Sequence, residues 1–183
     1  MNSVKIHADY PGGNIRVIEA GPNFFKLEQE LRDTSEWWFY WGFCIENAQD
    51  TELILEFVNG GVIGPWGPAV SRDRMTWNWA GSICRINECS FKYRFKMSDD
   101  KVYFCFCIPY QFRNYQNFLA DYKESKYLEI KTLCISEQGR DVPLLFIGNQ
   151  EAKKNIILTC RHHACESPGS YVSEGVLGYI FEK

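Results

Sequence analysis

Aromatic and β-branched residues dominate several short runs in the first part of the chain, and in some of them apolar and polar positions alternate. A period of two is typical of β-strands with one buried face. Gly, Pro, Ser and Asp residues that favour turns separate the runs. The pattern predicts two packed antiparallel sheets up to about residue 109. The predicted strands are Trp37–Ile45, Glu52–Phe57, Phe91–Phe95 and Lys101–Ile108.

The pattern changes after Pro109. Apolar residues at helical spacing predict a short amphipathic helix over Tyr115–Tyr122. Two apolar runs, Leu128–Ile135 and Pro143–Ile147, flank a turn and predict a hairpin. The run Asn155–Cys160 is almost continuously apolar, as expected for a central strand covered on both faces.

A helix is predicted to begin at Ser167 and Pro168, a capping side chain followed by a proline in the first turn. Val172, Val176 and Ile180 recur four residues apart and are expected on its inner face. The predicted fold class is therefore mixed α+β. An N-terminal antiparallel β-sandwich over residues 1–109 would precede the first part of an α/β domain, with an incomplete mixed sheet and helices, over residues 110–183.

Composition excludes several classes of protein. Of the 183 residues, 45% are hydrophobic and 16% aromatic, which predicts a packed core. The net charge is −3 and the basic residues are scattered, so neither nucleic acid nor a membrane is an expected partner. No apolar run reaches the roughly 20 residues of a membrane span, and the N-terminus lacks the apolar stretch of a signal peptide. We therefore expect a cytoplasmic protein.

The eight cysteines lack the paired spacing of zinc fingers, and without a secretion signal a disulfide framework is not expected. Most are predicted to be small buried hydrophobic residues. Cys165 follows the predicted strand closely, but no base is positioned to pair with it. A nucleophilic or zinc-binding role for Cys165 is therefore not predicted.

His163 and Glu166 are the candidate metal ligands. They lie three residues apart, between the predicted strand and the predicted helix, where a tight turn can direct an imidazole and a carboxylate to one point. The helix N-terminus also favours a carboxylate by about 0.3–1 kcal/mol. The alternative is that the two side chains only form hydrogen bonds at the end of the predicted strand. Zinc requires a third protein ligand, and the other histidines are His7 and His162.

The sequence Arg161–Ser167 resembles the His-x-x-Glu motif of the zinc metallocarboxypeptidases, the carboxypeptidase A family, and especially its cytosolic carboxypeptidase branch. Further stretches agree with that branch in the same order. They are Trp37–Tyr40, Phe106–Tyr110 with Tyr115–Leu119, and Leu133–Ser136 with Gly139–Leu145. The resemblance covers nearly the whole chain and is to the N-terminal portion of the family.

The resemblance implies a zinc-dependent hydrolase that removes C-terminal amino acids from peptides or proteins. One zinc ion would be held by His163, Glu166 and a histidine much further along the chain. The family's general-base glutamate and carboxylate-binding arginine are also expected beyond Lys183, so no catalytic residue is assigned here. His162 does not fit the spacing and is expected to support the ligands or to pack, and His7 is not expected to replace the distal histidine. We therefore expect weak or absent zinc and an inactive chain. The open edge of an incomplete sheet and an uncovered apolar helix face also predict self-association or a missing C-terminal portion.

A second hypothesis is a non-catalytic binding module. Trp66, Trp77 and Trp79 lie in or near a Gly/Pro-rich segment, and exposed aromatic rings on a β-sandwich can bind peptides or glycans. The competing interpretation is that these rings fill the core.

Overall fold

The computed structural model describes residues 3–32, 36 and 38–182. The chain divides into two units. The first contains Met1–Pro109 and His163–Ser167, and the second contains Tyr110–His162 and Pro168–Lys183.

The first unit is built from β-strands, with a short 3-10 helix at Ser82–Cys84. Its described strands are β1 Lys5–His7, β2 Arg16–Ala20, β3 Phe24–Glu28, β4 Gly42–Glu46, β5 Glu52–Phe57, β6 Ala69–Ser71, β7 Asn78–Trp79, β8 Ser90–Arg94 and β9 Lys101–Cys105. One sheet has the strand order β1-β4-β9-β6-β7 and the other β2-β3-β5-β8.

The prediction of purely antiparallel sheets is wrong at one pairing, because β3 and β5 run parallel. Between them the chain passes through β4, which belongs to the other sheet. A parallel pair requires such a crossover, since a tight hairpin can join only antiparallel strands. All other strand pairs of these two sheets are antiparallel.

Aromatic side chains from both sheets meet in one core. The ring of Trp41 lies 4.7 Å from that of Phe57, and Phe104 lies 5.4 Å from Phe43 and 5.6 Å from Phe91. The indole N–H of Trp41 donates a hydrogen bond to the carbonyl of Val62, so its one polar atom is satisfied inside the core. These interactions fix the two sheets against each other.

The predicted strands are confirmed in place, and one of them is also confirmed in its bounds. Glu52–Phe57 coincides with β5, and the other predictions overlap β4, β8 and β9. The prediction Trp37–Ile45 is too long, because the strand begins at Gly42; Trp37 itself lies outside the described residues. The carbonyl of Trp38 accepts a hydrogen bond from the Gln29 side chain instead of from a neighbouring strand.

Not every tryptophan belongs to the core. Trp41 is fully buried, whereas Trp66 and Trp79 are exposed. The interpretation that the aromatic rings of the Gly/Pro-rich region fill the core is therefore wrong for these two residues.

The second unit contains α1 Phe112–Tyr122, β10 Leu128–Ile135, β11 Asp141–Ile147 and most of α2 Ser167–Phe181. The side chains of Gln111 and Asn114 cap the first turn of α1 reciprocally. β10 and β11 pair antiparallel, which confirms the predicted hairpin. Within the described ranges, no helix combines the length and the apolar character needed to cross a bilayer.

The predicted central strand Asn155–Cys160 is not formed. These residues are exposed, and the side chains of Ile156 and Ile157 are 96% and 86% exposed. A strand requires a partner for its backbone N–H and C=O groups, and in the described second unit β10 and β11 pair only with each other. This apolar run therefore belongs to none of the described sheets.

The prediction that α2 buries one face is also wrong, because the residues expected on that face, Val172, Val176 and Ile180, are exposed. The helix itself begins at Ser167, as predicted. The hydroxyl of Ser167 is buried but has no hydrogen-bond partner among the described residues, so the predicted capping bond is not formed.

Candidate metal centre

The candidate turn follows residues 155–160, which belong to no helix or strand. Arg161 has φ 55°, in the left-handed region that residues other than glycine rarely adopt. Its guanidinium donates a hydrogen bond to the backbone carbonyl of Tyr110. The chain then enters a tight turn, in which the backbone N–H of Glu166 donates to the carbonyl of His163 at 3.1 Å, and α2 begins at the next residue.

His163 and Glu166 lie on the same side of this turn. His163 Nδ1 is 3.0 Å from Glu166 Oε1, and the backbone N–H of His163 donates to Glu166 Oε2 at 3.0 Å. The side chains are 77% and 46% exposed, so solvent and ligands reach them freely. The hydrogen bond from the His163 backbone N–H to Oε2 holds the Glu166 carboxylate in one orientation, with Oε1 towards the imidazole.

This arrangement fits two ligands of a zinc ion. Imidazole nitrogen and carboxylate oxygen are common zinc ligands, and neighbouring ligand atoms in a tetrahedral shell lie about 3.3 Å apart. The observed 3.0 Å requires only a small side-chain adjustment. The same distance also fits a direct hydrogen bond, so the alternative without a metal stays open.

The neighbouring residues have other roles. His162 is exposed and therefore does not pack in the core, contrary to one of the expectations for it. Cys165 contributes its backbone carbonyl, which accepts a hydrogen bond from the buried thiol of Cys107 at 3.6 Å. This contact joins the turn to the segment that follows β9 within the first unit.

Sequence reasoning missed a second group of ligand-type residues. One ligand atom from each of His7, Cys44 and Glu46 lies within 4.8 Å of the other two. Nothing in the linear spacing indicates this cluster, because His7 is brought to Cys44 only by the pairing of β1 with β4.

No protein-family model matches the chain. Among curated proteins, cytosolic carboxypeptidase 3 of Bos taurus is 34% identical over 101 residues, which are 50% of this chain and 10% of the bovine protein. That similarity supports the resemblance suggested by the motif.

Two solved structures have a similar fold. A carboxypeptidase-like protein from Burkholderia mallei matches with a TM-score of 0.81 and 19% identity, over 96% of this chain and 46% of that one. A metallo-carboxypeptidase from Pseudomonas aeruginosa, solved in complex with (2-guanidinoethylmercapto)succinic acid, matches with a TM-score of 0.62 and 24% identity, over 77% of this chain and 39% of that one.

The chain spans less than half the length of each of these three proteins. Its mixture of sheets and few helices fits an α+β fold. The sequence similarity and the fold agree with each other. The chain resembles the zinc carboxypeptidases, and in particular the cytosolic carboxypeptidases, over their N-terminal portion.

Proposed function

We propose that the chain is part of a zinc-dependent metallocarboxypeptidase, a hydrolase that removes C-terminal amino acids from peptides or proteins, and that His163 and Glu166 are two of its zinc ligands. The observation that carries the proposal is the 3.0 Å approach of His163 Nδ1 to Glu166 Oε1, in a chain that resembles this family. In such a site, zinc polarises the scissile carbonyl and lowers the pKa of a bound water.

The two side chains have distinct tasks in this proposal. His163 presents a ring nitrogen to the solvent-exposed side of the turn. The backbone N–H of His163 binds Glu166 Oε2 and thereby holds Oε1 in position as the second ligand atom. Such preorganisation reduces the conformational entropy that is lost when an ion binds.

We also propose that the chain consists of a β-sandwich domain followed by the first part of an α/β zinc-carboxypeptidase domain. We also propose a cytoplasmic location, which the similarity to a cytosolic carboxypeptidase supports. The exposed side chains of Ile156 and Ile157 support self-association, or association with further carboxypeptidase sequence. The exposed tryptophans do not by themselves favour the alternative of a peptide- or glycan-binding module.

We further propose that these 183 residues alone bind zinc weakly and hydrolyse peptides poorly. Within the described residues, His163 and Glu166 do not belong to a cluster of three potential metal ligands. A catalytic zinc site normally has three protein ligands.

The test is the release of C-terminal amino acids from peptides by the purified chain, with added zinc and with a chelator. We expect no release above that of the buffer. The His163→Ala variant is the matched control for any activity that appears. Zinc-dependent release that His163→Ala abolishes would support the proposed function and contradict the proposed inactivity, whereas release that His163→Ala leaves unchanged would contradict the assignment of the site.

A further inference from the structure

His7, Cys44 and Glu46 come together on one face of the five-stranded sheet. β1 and β4 pair antiparallel with His7 directly opposite Cys44. Side chains alternate along a strand, so Cys44 and Glu46 share the face opposite Phe43 and Ile45, which belong to the core. His7 Nε2 lies 3.3 Å from Glu46 Oε1, and one ligand atom of each residue lies within 4.8 Å of the others.

We propose that these three side chains form a second metal site, distinct from His163 and Glu166, for zinc or another divalent ion that accepts sulfur and nitrogen ligands. Thiolate, imidazole and carboxylate are the three side-chain ligand types of zinc, with bonds of about 2.0–2.3 Å. Ligand atoms in such a shell lie about 3.3–3.6 Å apart, so modest side-chain rotations bring all three to one ion. A fourth position is left for a water molecule.

The surroundings of His7 support a ligand role. The backbone N–H of Asp9 donates a hydrogen bond to His7 Nδ1 at 3.4 Å, and Asp9 Oδ2 lies 3.9 Å from the same nitrogen. These contacts hold the imidazole ring from its Nδ1 side, so Nε2 is directed towards Glu46. Metal-binding histidines commonly have such a partner behind the ring.

Lys101 forms an ion pair with the carboxylate of Glu46. Its ammonium lies 2.7 Å from Glu46 Oε1, the oxygen that also faces His7. Hydrogen bonds from Lys101 and His7 lower the pKa of Glu46, although desolvation opposes them, so the ligand is ionised near neutral pH. A divalent ion would displace Lys101, which therefore competes with the metal for this oxygen.

Cys44 is fully buried. Burial, with a smaller contribution from Glu46, raises the pKa of its thiol to about 11, while Lys101, Tyr103 and Arg74 act in the opposite direction. The thiol therefore carries a proton at neutral pH. On binding, the ion forms a bond to sulfur and that proton passes to solvent.

The decisive test is a titration of the intact chain with Co²⁺, which occupies zinc sites and gives a charge-transfer absorption band when a thiolate binds it. We expect the band in the parent chain and its loss in Cys44→Ala. Cys165→Ala is the matched control, because Cys165 lies in the turn with His163 and Glu166. The band should persist in that control. The proposal would be overturned if the parent chain gave no band or if the band persisted in Cys44→Ala. It would also be overturned if only Cys165→Ala lost the band.

Partly exposed positions provide a second measurement that does not depend on changing the buried Cys44. His7→Gln and Glu46→Gln should each weaken Co²⁺ binding by about tenfold or more. Lys101→Met should strengthen it, because the competing ammonium is removed. Near-ultraviolet circular dichroism checks that each variant is folded. Unchanged affinity in all three folded variants would overturn the proposal, and neither measurement depends on carboxypeptidase activity.

Discussion

Asp99 is a buried carboxylate with two strong partners. Its side chain is fully buried; Arg72 Nε donates to Oδ1 at 2.7 Å and the backbone N–H of Lys96 donates to Oδ2 at 2.9 Å. Burial alone would raise the pKa of Asp99, but the hydrogen bonds from Arg72 and Lys96 outweigh it, and the pKa lies below its ordinary value. Asp99 therefore stabilises the folded chain as an anion.

Asp99→Asn should lower the free energy of unfolding at neutral pH by about 1–3 kcal/mol, because charge-assisted hydrogen bonds are lost inside the protein. A group with a lowered folded-state pKa stabilises the fold above its unfolded value of about 3.9. That contribution is lost as the pH falls through the folded-state pKa. Urea unfolding at neutral and acidic pH measures both effects.

The control is Asp50→Asn, which removes an exposed pair with Arg94. Exposed ion pairs contribute about 0–1 kcal/mol, so this variant should change stability little. If both variants lowered the free energy of unfolding equally at neutral pH, burial would not strengthen the interaction of Asp99 with Arg72.

The two groups of candidate ligands differ in how well the sequence predicts them. His163 and Glu166 are three positions apart, so a local turn suffices to bring them together, and their proximity was predictable. His7, Cys44 and Glu46 were not, because strand register brings His7 to the other two. Register is a property of the paired sheet, whereas the alternation within one strand identifies only its faces.

At the scale of elements, apolar runs predict strands correctly where a second strand is present to pair with them. The segments Leu128–Ile135 and Pro143–Ile147 pair with each other across a short turn, so a local pattern was enough to predict them. Residues 155–160 are equally apolar but have no strand partner in the described chain. The pattern of apolar residues in a segment indicates which side chains can be buried, but it does not identify the element that packs against them.

Two isoleucines test this difference. Ile45 in β4 is buried in the core, whereas Ile157 is almost fully exposed. Ile45→Ala should lower the free energy of unfolding by about 2–5 kcal/mol, through lost burial and a cavity. Ile157→Ala, the same chemical change, should alter it by less than about 0.5 kcal/mol.

Chemical denaturation at low protein concentration, followed by circular dichroism, compares the two variants. If Ile157→Ala strongly lowered the free energy of unfolding, residues 155–160 would be covered in solution, by a second copy of the chain or by another element. Dilution distinguishes these cases, because only association with a second copy depends on protein concentration.

At the scale of the whole molecule, the first unit takes residues from two separate parts of the sequence. It contains Met1–Pro109 and also the short turn His163–Ser167. A pattern read along the chain cannot assign a five-residue turn to a unit formed more than fifty positions earlier. The contact of Cys107 with the carbonyl of Cys165 is part of what attaches the turn there.

The central claim, that His163 and Glu166 bind the metal of a carboxypeptidase site, is tested most directly by heteronuclear NMR of the histidine ring nitrogens during a zinc titration. The chain has only three histidines, so each ring is resolved as a separate reporter. We predict that zinc shifts the ring nitrogens of His163 but not those of the adjacent His162, which is also exposed, and that Glu166→Gln weakens the effect on His163. His7 reports independently on the second site. If His163 did not respond to zinc, or responded no differently from His162, the proposed metal centre would be contradicted.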